Sequence, residues 1–227
     1  MNKITYHPKD ELLSSHANGD LPESLAVAIS LHCELCPQCQ NKVDAITNRL
    51  ASKTWDSTAS KEQNEANNEA NDSDGFDSML ANIMALEIEP THLAPEPVYT
   101  LFIDDKEYQL PYILHRYDNL KWNHLGAVSR TRLNEEQDTR SNLLHIKPGG
   151  EIPHHTHKGF ELTLLLDGSF EDESGYYQKG DFIWLDASNS HSPKTSEGCL
   201  CYTVQNAPLY FKQGLSKLFN PIGSLLY

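Results

Sequence analysis

Apolar positions in the first fifty residues recur at helical spacing: Leu12 and Leu13, then Leu21, Leu25 and Ile29 with His32 on the same stripe, then Val43, Ile46 and Leu50. Steps of three and four place such residues on one face of a helix, and "ANGDLP" separates the first run from the second. The pattern predicts a small helical module over residues 1–53. From Thr54 to Asp74 the chain is almost devoid of aliphatic residues, which predicts a flexible acidic linker. Beyond Gly75, the stripe Phe76, Met79, Leu80, Ile83 and Leu86 predicts a helix over 75–89, closed by the prolines of "THLAPEPVY". So short a helix is marginal alone and needs a surface to dock on.

From Val98 onward the pattern changes to short runs rich in β-branched and aromatic residues: "VYTLFI", "LGAVSRTRL", "SNLLHI", "ELTLLLDGSF", "GDFIWLD" and "CLCYTV". Gly, Asp, Asn and Pro turns divide them at the intervals of a barrel or jelly roll, with no βαβ alternation. The β domain is expected over 96–215, leaving 216–227 as a tail.

Composition narrows the setting. Among the 227 residues no apolar run approaches the roughly 18 needed to cross a bilayer, and "MNKITYHPKDELL" lacks the apolar centre of a signal peptide, so a cytoplasmic protein without a membrane partner is expected. Five cysteines, an odd number in two close groups of three and two, suit metal or redox chemistry in a reducing compartment better than a disulfide framework. The formal charge is -14, and residues 54–95 hold 9 acidic side chains against 1 basic one. Phosphate backbones would be repelled, which argues against direct nucleic-acid binding and for a basic protein partner.

Two donor constellations stand out. The first is "HCELCPQC", in which His32, Cys36 and Cys39 form a His-x3-Cys-x2-Cys run. His32 and Cys36 share a helical face and Cys39 follows across the next turn; a tetrahedral zinc ion needs one more ligand, for which His7 is the candidate and His16 a rival. Cys33 points about 100° away on a helix. The alternative is that these cysteines are small buried hydrophobes. A module of about 50 residues nevertheless needs a staple.

The second is "IPHHTHKGFELTLLLDG". Strand parity puts His155, His157 and Glu161 on one face and His154 on the other. His191 supplies a fourth donor further on. Three imidazoles and a carboxylate on an inward barrel face suit zinc, iron or manganese. Cys199 and Cys201 share a strand face too, either as partners in oxidation chemistry or as two small core residues.

These motifs carry a family resemblance. The run "HPKDELLSSHANGDLPESLAVAISLHCELCPQC" with the late apolar helix resembles the zinc-binding anti-sigma domain, covering about the first 90 residues. Gly149, five residues, His155-x-His157, three residues, Glu161, six residues, Gly168 resembles the first cupin motif at every spacing. In the second, Gly180 stands eleven positions before His191, while Asp186, Ser188 and Thr195 occupy the usual Pro, Gly and Asn places. The two halves together resemble the ChrR family of anti-sigma factors along essentially the whole chain.

That resemblance implies α and β structure in separate domains, a zinc-stapled N-terminal helical bundle and a C-terminal cupin barrel. It implies zinc on His7, His32, Cys36 and Cys39, and a second metal, zinc again, on His155, His157, Glu161 and His191. It also implies a protein that is not an enzyme, whose helices wrap and inhibit an extracytoplasmic-function sigma factor until singlet oxygen or organic peroxide is sensed through the cupin. The contrasting expectation is a mononuclear cupin dioxygenase or isomerase with a helical appendage, for which Glu173, Tyr176 and Tyr177 are the nearest acid-base groups; a metal store is a third.

Overall fold

The structure is a computed structural model, and it describes residues 3–65, 73–86, 99–104, 106–117, 119–136 and 138–211. Four α-helices come first: α1 (Asp10–Asn18), α2 (Glu23–Leu35), α3 (Pro37–Glu65) and α4 (Ser73–Met84). Among the described residues twelve strands follow: β1 (Tyr99–Ile103), β2 (Lys106–Leu110), β3 (Asn123–Leu125), β4 (Val128–Glu136), β5 (Thr139–Ile146), β6 (His155–His157), β7 (Glu161–Asp172), β8 (Gly175–Gln178), β9 (Phe182–Leu185), β10 (Ser190–His191), β11 (Cys199–Gln205) and β12 (Leu209–Phe211). Helices and strands are segregated along the chain, as the hydrophobic pattern predicts.

Two compact units result. One joins residues 1–44 to residues 98–227, and the other is residues 45–97. In the first unit the main sheet runs β3-β4-β5-β11-β7-β8, with β9 on β7 as well, and a small sheet β10-β6-β12 carries the histidines. All the recorded strand pairings are antiparallel. Where β7 passes the start of β11 the backbone needs Gly168, whose φ is +74°; an added Cβ there would collide with the Gly198 carbonyl oxygen.

β11 shows how the unit is layered. All seven of its residues are buried. Cys201, Thr203 and Gln205 line the barrel interior, while Tyr202 turns the other way, to the helices. α2 packs over β11, β4 and β5. With Leu25, Val27, Ala28, Ile29, Leu31, His32 and Cys33 all buried, α2 is apolar nearly all round, as a helix between α1 and a sheet must be. Its first turn is capped from the barrel: the Glu136 carboxylate accepts from the Glu23 and Ser24 backbone N–H groups, at 3.2 Å each. A negative charge there meets the positive end of the helix dipole. α1 ends in a left-handed Gly19, with the Asp20 N–H on the Ser15 carbonyl at 2.9 Å.

The expected linker over 54–74 needs correction, since α3 continues as helix to Glu65. Ala, Lys, Glu and Gln are strong helix formers, so a run of them continues a helix without aliphatic residues. Residues 66–72 lie outside the described residues, as do 87–98 and the tail 216–227. Of the helix expected over 75–89, α4 extends to Met84 and residues 87–89 lie outside the described residues; its Phe76, Met79, Leu80 and Ile83 are 62%, 53%, 47% and 54% exposed. That apolar stripe is therefore available to a partner.

Candidate metal centres

The first cluster assembles at the corner between α2 and α3. His32 lies in the last turn of α2, Cys36 is its extended C-cap with φ -124°, and Pro37 opens α3, where a missing N–H costs nothing. The sharp corner brings Cys39 back beside Cys36. His7, on the extended segment before α1, completes the group: its Nδ1 is 3.5 Å from both Cys36 Sγ and Cys39 Sγ. The four donor atoms lie within 4.8 Å of one another. On a tetrahedral zinc ion the nitrogen-to-sulfur edge is about 3.6 Å, so this spacing fits.

Protonation supports the same assignment. The His32 Nδ1–H donates to the Gly180 carbonyl oxygen at 2.8 Å, which leaves Nε2 as the lone-pair nitrogen. Nε2 is buried and has no hydrogen-bond partner. A bound cation is what such an orphaned lone pair suits. Burial pushes the His32 pKa down to about 4, against the smaller effect of the Gly180 bond, so the ring is neutral and ready to ligate. Burial and the neighbouring Cys36 push the Cys39 thiol up to about 12, a cost that a cation between the sulfurs would remove. Cys33 is buried outside this group, its thiol raised to about 11 chiefly by burial, and His16 is not among the four.

The second cluster is built by pairing β6 with β10, where His155 stands opposite His191. His191 Nε2 is 3.0 Å from His155 Nε2 and 3.3 Å from His157 Nε2. The outer nitrogens are fixed: His155 Nδ1–H donates to the Pro153 carbonyl at 2.9 Å, and His191 Nδ1–H to Asp172 Oδ2 at 2.9 Å. At least two lone pairs then face each other, an arrangement that repels unless a cation lies between them. Burial lowers the pKa of His155 to about 4, and it shifts His157 in the same direction.

Glu161 is not brought into this trio. Its Oε1 accepts from Thr163 Oγ1 at 3.0 Å and its Oε2 from Gln205 Nε2 at 2.6 Å, while Oε2 stands 3.2 Å from His157 Nδ1 without the alignment of a hydrogen bond. Thr163 is two residues along the same strand and Gln205 directly opposite in register, so both compete for the carboxylate. Burial disfavours its charge, yet His157, His191 and His155 together hold its pKa below the usual carboxylate range. The strand spacing that groups Glu161 with His155 and His157 is blind to this competition.

Asp172 escaped the sequence reading. It sits in the β7–β8 turn, where its Oδ1 accepts the Ser174 N–H at 2.8 Å, and "DESG" reads simply as turn chemistry. Its histidine partner lies 19 residues away, out of reach of any local pattern. The altered second motif is rebuilt by side chains: Asp186 Oδ1 accepts the Ser188 N–H at 2.9 Å and Asn189 Oδ1 the Asp186 N–H at 2.9 Å. His154 stands apart, 3.2 Å from Ser190 Oγ. Tyr177 is a core residue, Tyr176 is exposed, and Glu173 accepts the Ser192 N–H, so none of the three joins the histidines.

A cavity of about 850 Å³ opens beside the trio, walled by Leu144, Ile146, Ile183 and Leu185. Cys201 lines it, and both Cys201 and Cys199 pack in the core with Leu165 and Phe170. The adjoining Cys199 thiol and burial keep Cys201 protonated far above the usual thiol range.

A four-donor His/Cys cluster beside a barrel with three converging histidines is a layout suited to binding metal at two places. Residues 112–209 match the family model described as the ChrR cupin-like domain. Over 221 residues the chain is 28% identical to the anti-sigma-E factor ChrR of Cereibacter sphaeroides, covering 96% of this chain and 97% of that one. It is also similar to the crystal structure of Rhodobacter sphaeroides SigE in complex with the anti-sigma ChrR, at 27% identity and TM-score 0.60, covering 89% of this chain and 99% of that one. Along nearly its whole length the chain is thus similar to ChrR anti-sigma factors, and its residues 112–209 carry the ChrR cupin-like domain. The named relative is a regulator and not an enzyme.

Proposed function

We propose that this chain binds an extracytoplasmic-function sigma factor in the cytoplasm, holds it away from RNA polymerase, and releases it when the barrel meets singlet oxygen or organic peroxide. The observation that carries the reading is the likeness, along 89% of this chain, to a ChrR solved with SigE bound. The physical features agree with it. The exposed stripe of α4 suits helix-in-groove docking. The acidic balance suits the basic surfaces that a sigma factor turns to promoter DNA, so binding and repression become the same event. No helix among the described residues is long and apolar enough to cross a membrane.

In this reading His7, His32, Cys36 and Cys39 hold a structural zinc ion in the helical module. His155, His157 and His191 hold a second metal, also zinc, with Glu161 as fourth donor once it leaves Gln205. The bound metals would staple a short helical module and fix the histidine-bearing sheet of the sensor. We assign residues 1–53, continued by the helix over 75–89, to sigma binding, residues 54–74 to spacing and residues 96–215 to sensing. Co-expression with the sigma factor and purification on a tag carried by either partner tests this; a stoichiometric complex is expected, and a folded, metal-loaded chain that emerges alone would contradict it.

A further inference from the structure

The four-donor cluster of the helices is completed by the barrel. The turn between β8 and β9 presents the Gly180 carbonyl oxygen to His32 Nδ1 at 2.8 Å. The next residue, Asp181, is only 1% exposed and has both carboxylate oxygens engaged. Its Oδ1 accepts the Thr5 N–H at 2.7 Å and the Tyr6 N–H at 3.0 Å, and its Oδ2 accepts the Gln178 N–H at 2.9 Å. The Phe182 N–H donates in return to the Tyr6 carbonyl at 3.0 Å. The segment that ends in His7 is thus laced to the turn residue by residue. Rings reinforce the seam, with His32 edge-on to Phe182 at 5.7 Å and Tyr6 against Tyr177 at 4.7 Å.

Glycine is required at the centre of this turn. Gly180 has φ +93°, and a Cβ would lie 2.5 Å from Ile4 Cδ1, on the segment that leads to His7. Two of the four donors therefore take their positions from barrel groups: His32 its tautomer and ring orientation, His7 the path of its backbone. The same hairpin reaches the other centre, because β8 pairs with the end of β7, where Asp172 holds His191.

We propose that the β8–β9 turn is the outer shell of the helical metal site, with Asp181 and the Gly180 carbonyl as positioning groups through which the barrel sets that site's affinity for metal. The inference rests on the reading that His7, His32, Cys36 and Cys39 bind a metal, and it adds a dependence of that binding on the barrel. Losing an outer-shell partner of a ligating histidine weakens metal binding by about 10- to 100-fold. A neutral imidazole released from its carbonyl samples the wrong tautomer and rotates away, and an untethered extended segment seldom presents its histidine.

The test uses the full chain titrated with cobalt(II), then with zinc in competition. Thiolate-to-cobalt absorption reports the sulfur-bearing site alone, since the barrel histidines offer no sulfur donor. Wild type should show that band and Cys36→Ser, left with Cys39 as the one sulfur donor, should lose about half of it or more; a wild type without the band defeats the metal-site reading, and the inference with it. With the band present, Asp181→Asn and Gly180→Ala should each weaken zinc at the sulfur site by about tenfold or more while the barrel site keeps its affinity. Asp181→Asn retains an acceptor for Thr5 and Tyr6 but cannot accept from Gln178, so it keeps the test available if Gly180→Ala fails to fold. Sulfur-site affinity within twofold of wild type in folded variants, or an equal loss at both sites, overturns the proposal.

Discussion

The Tyr202 hydroxyl donates a 2.9 Å hydrogen bond to the carbonyl oxygen of Ser24, joining the middle of β11 to the first turn of α2 across 178 positions of sequence. Both residues are buried, Tyr202 completely. Cys201 and Thr203, on either side of Tyr202, face the cavity, so one strand is a wall of the histidine-bearing barrel and of the helical layer at once.

Tyr202→Phe keeps the ring and removes the bond. It should lower stability by about 1 kcal/mol, while Tyr202→Ala, which also opens a hole under α2, should cost about 3–5 kcal/mol. Urea unfolding of the metal-loaded chain measures both. Equal losses in the two variants would mean that the ring does not support the helical layer.

For the helical centre, Cys36→Ala or Cys39→Ala should remove one metal per chain and free the sigma factor without any stress, because binding energy and folding of so small a module are linked. Elemental analysis together with sigma-dependent transcription checks this. Unchanged metal content and unchanged repression in both variants would defeat the ligand assignment.

Much of this architecture was legible in local pattern. The runs around Leu25, Ile29 and Val43 carry the helices, and the change to short alternating runs after Val98 carries the barrel, because periods of 3.6 and 2 follow directly from backbone geometry. His32, Cys36 and Cys39 come together since three- and four-residue steps cross a helix corner. Long-range register stayed hidden. Gln205 drawing on Glu161, Asp172 bracing His191 and Asp181 holding Thr5 and Tyr6 each depend on which strand lies beside which. The helix through Glu65 was missed for another reason, namely that polar helix formers resemble a linker once aliphatic residues are absent.

In the barrel, donor loss should separate the imidazoles from the carboxylate. His155→Ala removes one of the three converging nitrogens and should cost at least about 100-fold in metal affinity, whereas Glu161→Gln, tied as Glu161 is to Gln205 and Thr163, should cost about tenfold. Both proteins should still repress, and His155→Ala should respond poorly to singlet oxygen. A normal response from a demonstrably metal-free barrel would remove the metal from the sensing account.

Acid should destabilise the chelator-treated chain. His32 and His155 titrate at about 4 when folded, chiefly because burial disfavours their charge, against 6.5 unfolded, and burial lowers His145 as well. Between these values the unfolded chain binds more protons, so the stability these groups leave intact above pH 6.5 is lost as the pH falls toward 4. Each fully separated group contributes at most about 1.4 kcal/mol per pH unit. Urea midpoints in the presence of chelator should fall from pH 7 to pH 5; a rise would contradict buried neutral imidazoles.

The most direct measurement is transcription from a sigma-dependent promoter in a purified system, with the metal-loaded chain titrated against a fixed amount of sigma factor. Inhibition complete near one chain per sigma factor is expected, and Leu80→Asp, which puts a charge on the exposed stripe of α4, should shift the curve by about tenfold or more without altering bound metal. Full transcription in the presence of excess folded, metal-loaded chain would contradict the account.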